Sequence, residues 1–256
     1  MNRTIDLNCD LGESFGAYRM GDDAGVLPFV TSANVACGAH AGDPSVMRRT
    51  VAAALEHGVA IGAHPGLPDL AGFGRREMRI SPQEAYDLVL YQVGALAAFA
   101  TAAGTRLRHV KPHGALYNMA CADAALAEPI ARAVRDLDAR LILFGLPGSE
   151  LQRAAEGAGL RFAREAFADR GYAADGSLVR RGAPGAMIED ADDAVRRAVE
   201  IASEGRTRTA DGGELRLAAD TICIHGDRAD AALFARTLRE GLERSGVRVA
   251  APLSGG

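Results

Sequence analysis

Asp10 and Glu13 stand three residues apart just after a short apolar run, with Asn8 immediately before them. His40, His64, Lys111, His113, Asp169, Arg170, His225 and Asp227 recur at or just past the ends of later apolar runs, next to Gly or Pro; Glu165 sits inside one. Of the six histidines, four fall at such ends; His57 lies late in a helical pattern and His109 inside a strand pattern. Two chemistries suit this set. Carboxylates can act as general base on water while Lys111 and Arg170 hold carboxylate or phosphate groups. Alternatively, Asp10, His40 and His64 have the types of a divalent-metal site, two imidazoles and one carboxylate. No H-x-x-x-H or H-E-x-x-H spacing accompanies the second reading, and no G-x-x-x-x-G-K-[ST] loop supplies a phosphate cradle for the first.

Each residue also has a plainer use. Asp10 and Glu13 could cap the first turn, His40 could bond the amides of a following helix, and Asp227 could cap another. His64-Pro65-Gly66 could be turn chemistry. A buried Glu165 would need a cation beside it. Lys111, between a strand and Pro112, has little structural work to do. Cys9, Cys37, Cys121 and Cys223 read as small core residues.

Side chains so far apart in the chain share a site only if the fold gathers strand ends. Apolar runs predict strands at 5–9, 32–37, 59–63, 107–110, 140–144, 161–167, 221–224 and 247–250. Helices are predicted over 22–30, from Asp43-Pro44 to Gly58, from Ser81 to about 103, over 123–137 and 190–203, and up to about 244. Asp43 before Pro44 is an N-cap followed by a first-turn proline. Ser81-Pro82-Gln83-Glu84 has the form of a capping box. Stretches 67–78 and 173–187 read as loops, and 205–213 as a polar turn. The runs look continuous rather than alternating, as in a parallel sheet buried on both faces. Strand–helix alternation over 256 residues predicts one α/β domain, 1–256, closed as a (β/α) barrel. The first strand lacks G-x-G-x-x-G, which disfavours a dinucleotide fold. In a barrel every strand C-terminus opens on one face, so the polar ends would meet in a water-accessible bowl.

The 29 basic and 33 acidic residues are spread along the chain, with no basic block to neutralise phosphates, which argues against nucleic acid or an acidic membrane surface as partner. The apolar stretch 88–103 is interrupted by Tyr91, Gln92 and Gly94, and no membrane span is expected. The N-terminus lacks a charged segment leading into an apolar run, and the cysteines form no C-x-x-C. A reduced, cytoplasmic protein is the expectation.

Six stretches carry a resemblance: DLNCDLGESFG (6–16), ANVACGAHAGDP (33–44), GAHPGLPD (62–69), VKPHGALYN (110–118), EAFADRGY (165–172) and HGD (225–227). In this order they resemble the LamB/YcsF family over nearly the whole chain. The resemblance implies a distorted (β/α)7 TIM-like barrel, similar to the glycoside hydrolase and polysaccharide deacetylase barrels. It implies a hydrolase acting on a cyclic amide, opening 5-oxo-L-proline to L-glutamate at the expense of ATP, with Mg2+ accompanying the nucleotide. Its partners would be the B and C subunits of a 5-oxoprolinase. Under that reading Asp10, His64, Lys111, His113, Glu165, Asp169 and Arg170 are the catalytic candidates. Asn8, Glu13, His40, His225 and Asp227 are the substrate-binding candidates. Lys111 and Arg170 would hold anions, while Asp10, Glu165 or His113 would position water or move protons. Two other functions compete: a metal-dependent deacetylase or amidohydrolase working alone, and a non-catalytic substrate-binding or scaffold subunit.

Overall fold

The first strand, β1 (Thr4–Leu11), is buried on both faces after its first residue. Its side chains alternate, Asp6, Asn8 and Asp10 against Ile5, Leu7, Cys9 and Leu11, so one face is polar and the other apolar. The computed structural model describes residues 3–180, 182–224, 226 and 230–252. After β1 comes a short helix α1 (Asp23–Val26), continued as a 3-10 turn (Leu27–Phe29). Then follow β2 (Ser32–Ala36), α2 (Pro44–Glu56), β3 (Ala60–His64), α3 (Pro82–Ala102) and β4 (His109–Val110). The chain continues through α4 (Gly114–Ala122), α5 (Ala124–Leu137), β5 (Ile142–Gly145), α6 (Glu150–Gly157) and β6 (Arg161–Phe167). After α7 (Ala191–Glu204), an antiparallel hairpin of β7 (Arg206–Arg208) and β8 (Glu214–Arg216) stands apart from the main sheet. The chain ends with β9 (Thr221–Ile224), α8 (Ala231–Arg244) and β10 (Arg248–Val249).

Among the described residues, seven parallel strands close a ring: β1 to β6 in order, then β9, which pairs with both β6 and β1. β10 pairs only with the start of β1, at Thr4 and Ile5. Leu7, Val35, Ala63, Val110, Leu143 and Ile222 are fully buried in the shared core with helix residues such as Val93, Ile130 and Leu238. Each large side chain of this kind contributes ~1.5–3 kcal/mol on leaving water. On length and composition alone α3 could cross a membrane. It lies instead against α5 and β3, with Ala85, Val89, Val93, Leu96 and Ala100 buried. The predicted caps form. Asp43 accepts from the amides of Ser45 and Val46, and Ser81 and Glu84 make the reciprocal box.

The ring interior is polar, against the expectation of continuous apolar strands. Asp6 accepts from the hydroxyls of Thr31, Ser32 and Thr221 at 2.6–2.8 Å. Burial pushes its carboxyl up to about 6, against the pull of those donors. The unfolded carboxyl titrates near 3.8, so between there and about 6 the native chain holds an extra proton. The stability this lends is complete below the unfolded value and is lost as pH rises through about 6. Asp6→Asn cannot ionise. Urea midpoints of wild type and variant at about pH 4.5 and pH 7 are expected to show a flatter profile in the variant. Parallel profiles would mean that Asp6 does not titrate in this window.

Two helices and a hairpin are additions to the predicted elements. α4 begins directly at Gly114, in the left-handed region at φ 55°, right after Lys111-Pro112-His113 at the end of the predicted fourth strand. α6 is only eight residues long. β7 and β8 are mostly exposed and polar, which hides them as a turn.

Candidate active site

Lys111 follows β4 and reaches across the ring. Its Nζ lies 3.0 Å from Asp10 Oδ1 on β1, 2.8 Å from Glu165 Oε1 on β6, 3.3 Å from Asn8 Oδ1 and 2.9 Å from Cys223 Sγ on β9. Strands that are not neighbours in the sheet thus meet at one ammonium, which locates all these side chains inside the ring. Lys111 is 3 % exposed and Glu165 0 %. Burial by itself would pull the ammonium's pKa down, but Asp10, with Cys223 and Glu165, outweighs it and holds the pKa well above its usual value. Asn34 on β2 donates to Asp10 Oδ1 at 2.8 Å and to Asn8 Oδ1 at 2.7 Å. With its amide protons so engaged, Asn34 Oδ1 accepts from His109 Nε2 at 2.8 Å. Burial pushes His109 down to about 3, so the ring is neutral.

Above this cage lies a group of imidazoles. Asp10 Oδ2 is 3.3 Å from His64 Nε2. His64 Nδ1 pairs with the Lys111 carbonyl at 2.7 Å, and His113 Nε2 with the Phe73 carbonyl at 2.8 Å. His113 Nδ1 and His64 Nε2 are 2.9 Å apart. His40 stacks on His113 at a ring separation of 3.8 Å, nearly parallel. Glu13 Oε1 stands 3.7 Å from His113 Nδ1 and 3.9 Å from His40 Nε2. Burial pushes the pKa values of His40 and His113 well below the usual histidine range. Glu13, His40, His64 and His113 each offer one ligand atom, and these atoms all lie within 4.8 Å of one another. The set has the composition of a metal-binding cluster.

The 65–81 segment presses these rings in place. Phe73, with φ 55°, is among the described residues the one non-glycine in the left-handed region, and its ring sits edge-on to His40 and His113. Strain of this kind persists where surroundings enforce it. Gln92, fully buried on α3, accepts from Gly66 N and donates to Gly66 O, both at 2.9 Å. This glutamine, which interrupts the apolar run of α3, clamps the turn beside His40. Gln92→Leu strands both backbone groups and is expected to destabilise the fold by ~2–3 kcal/mol in urea titration. A loss under ~0.5 kcal/mol would remove the clamp from the account.

Asn8, Asp10, Glu13, His40, His64, Lys111, His113 and Glu165 are therefore gathered in one place. Arg170 is directed elsewhere: its guanidinium donates to the carbonyls of Ala186 and Val179, tying down the 173–187 loop. Asp169 is fully buried, and its carbonyl accepts from Ile188 N. His225 and Asp227 lie outside the described residues. Three expectations change. Lys111 faces carboxylates, an amide oxygen and a thiol inside the ring, so it is not placed to reach a phosphate, and Arg170 is engaged with carbonyls. The metal-type set replaces Asp10 by Glu13 and His113, because Asp10 Oδ1 is held by Lys111 and Asn34. The bowl is nearly closed, with Asp10, the most exposed of these residues, at 8 %. Nothing in the spacing of the sequence marks Asp6, Asn34, His109, Thr221, Cys223 or Phe73 as part of this site. The polar–apolar alternation along β1 and the Ser32, Asn34 pair on β2 were the available signal.

The LamB/YcsF family model matches residues 5–255. The 5-oxoprolinase A subunit of Bordetella parapertussis is 63 % identical over 251 residues, covering 98 % of this chain and 100 % of that protein. The Bacillus subtilis protein of the same name is 58 % identical over 247 residues, covering 96 % of each. The solved structure of a lactam utilization protein from Thermus thermophilus superposes with a TM-score of 0.93 at 51 % identity, covering 97 % of this chain and 100 % of the other. The quoted motifs, the closed seven-strand ring and these end-to-end matches agree, and the chain belongs to the LamB/YcsF family.

Proposed function

We propose that this chain is the A subunit of an ATP-dependent 5-oxoprolinase, which hydrolyses the lactam of 5-oxo-L-proline to L-glutamate. It would work in the cytoplasm with the B and C subunits. End-to-end identity of 63 % with a protein of that name carries the reading. All four cysteines are free, in keeping with a reducing compartment.

The chemistry suits the residues. A lactam carbonyl is a weak electrophile, and ATP, with Mg2+, would supply activation by phosphorylating its oxygen. Lys111 and Asn34 hold Asp10 by Oδ1, which turns Oδ2 toward His64. Asp10, with His64 beside it, takes the proton of the attacking water; the lactam C–N bond breaks, the ring nitrogen receives a proton to become the amine of glutamate, and the phosphoryl group would leave as inorganic phosphate. Glu165 keeps Lys111 charged beside Asp10. Asn8, Glu13, His40 and His113 shape the substrate side, with His225 and Asp227 as further binding candidates. Asp169 and Arg170 anchor the loop that borders the mouth. Because the site is nearly closed, substrate enters by movement of the 65–81 or 173–187 segments.

The test is glutamate release by the purified chain with and without B and C. Release is expected only with all three subunits, ATP and 5-oxoproline present. ATP-independent hydrolysis of N-acetyl substrates by the chain alone would contradict the reading and favour a metal-dependent amidohydrolase.

A further inference from the structure

We infer that Glu13, His40, His64 and His113 bind one divalent metal ion of the zinc class at the mouth of the barrel. A carbonyl only accepts, so His64 carries its proton on Nδ1, toward Lys111 O, and His113 carries its own on Nε2, toward Phe73 O. In the neutral rings His64 Nε2 and His113 Nδ1 are then both lone pairs, and they face each other at 2.9 Å. Two lone pairs at that distance repel unless something positive lies between them. A shared proton or a metal ion could do this.

His40 decides between them. It is 1 % exposed, and neither of its ring nitrogens has a hydrogen-bond partner. Leaving a buried polar group unmet costs about 1–3 kcal/mol. A proton between His64 and His113 does nothing for His40. A metal ion would engage one nitrogen of each of the three rings and Glu13 together, since their ligand atoms already lie within 4.8 Å of one another. Backbone carbonyls fixing the far nitrogen of each ligating imidazole are the usual outer support of such a site. The approach of the backbone keeps the rings from turning away. A Cβ at Gly66 would lie 2.5 Å from His40 Nδ1, and one at Gly74 would lie 2.9 Å from His113 Cδ2.

Three imidazoles and one carboxylate suit zinc, cobalt or nickel, whereas magnesium and calcium prefer oxygen ligands. Tetrahedral bonds of ~2.0–2.1 Å need ligand atoms ~3.3 Å apart. His64 and His113 would part by a few tenths of an ångström and Glu13 would move in by a similar amount. Asp10 Oδ2, 3.3 Å from His64 Nε2, would stand beside the ion.

The test uses the full-length chain, stripped with a chelator and titrated with zinc or cobalt. One zinc per chain is expected by elemental analysis, with a rise in Tm and, for cobalt, a visible d–d band of four- or five-coordinate character. Glu13→Gln and His40→Ala, with folding checked by circular dichroism, are expected to weaken binding on the order of 1,000-fold, beyond the 10–100-fold that outer-shell losses cause. In 15N-histidine NMR of the wild type, zinc should shift the resonances of His40, His64 and His113. That readout stands even if both variants misfold. Uptake well below one equivalent with an unmoved Tm would overturn the inference in favour of a shared proton. Binding unchanged in both variants, or shifts confined to His57 or His109, would overturn it as well. Glutamate release is measured separately, so either failure leaves the proposed function standing.

Discussion

Lys111→Met is expected to destabilise the protein by about 3–5 kcal/mol, because it leaves two buried carboxylates without their cation. From the sequence, Lys111 reads as an anion-binding residue with little structural work to do. The structure gives it a different role. Asp10 and Glu165 sit at 3.0 and 2.8 Å from its Nζ, and Glu165 is fully buried. Removing one member of a buried ion group costs far more than the group contributes over apolar replacements, since the remaining charges keep their desolvation penalty. The triple variant Lys111→Met, Asp10→Asn, Glu165→Gln is therefore expected to recover most of the loss. Urea unfolding at neutral pH reads both effects. A single variant within ~1 kcal/mol of wild type would mean that Lys111 is not the counter-charge of this core.

Asp10→Asn is expected to lower glutamate release by the reconstituted complex on the order of 10²–10⁴-fold, the usual contribution of a positioned general base. The fold should survive with a lowered urea midpoint, because Glu165 still pairs with Lys111 and asparagine keeps an oxygen to accept from Asn34 and Lys111 where Asp10 Oδ1 now does. The new amide would face His64 Nε2, replacing a carboxylate now 3.3 Å away. Shape is kept while the capacity to take a proton is removed. The readout is kcat at saturating chain, with the urea midpoint measured alongside. A rate within tenfold of wild type in a folded variant would take Asp10 out of the chemistry.

Much of the architecture was legible from pattern and caps. β6 and β9 fall on the predicted residues, and Asp43 and Ser81 open α2 and α3 as their sequences demand. What hid from the sequence was the inside of the ring. A strand buried on both faces gives an unbroken apolar run only if both faces are apolar. Here Asp6, Asn8 and Asp10 face inward and satisfy one another through Ser32, Asn34 and Thr221. Residues that far apart in the chain show no spacing in common, so Cys223 as a partner of Lys111 and His109 as a partner of Asn34 emerge only once the ring closes. His40, His64 and His113 were readable as strand-end residues. The backbone carbonyls of Lys111 and Phe73 that set two of their tautomers were not, because hydrogen bonds to the backbone leave no mark on residue type. Arg170 shows another limit: its charge suggests a ligand, and its hydrogen bonds to the carbonyls of Ala186 and Val179 leave no mark on residue type.

Under the proposed function the lactam is opened at the C-terminal mouth of the ring, above Asp10 and His64. A crystal structure of the chain with 5-oxo-L-proline bound tests it most directly. The lactam carbonyl is expected within hydrogen-bond reach of Asp10 or His64, with Glu13 and His40 alongside. Density for the lactam at the opposite end of the barrel, in the cleft lined by Val59, Thr105 and Arg106, would contradict it.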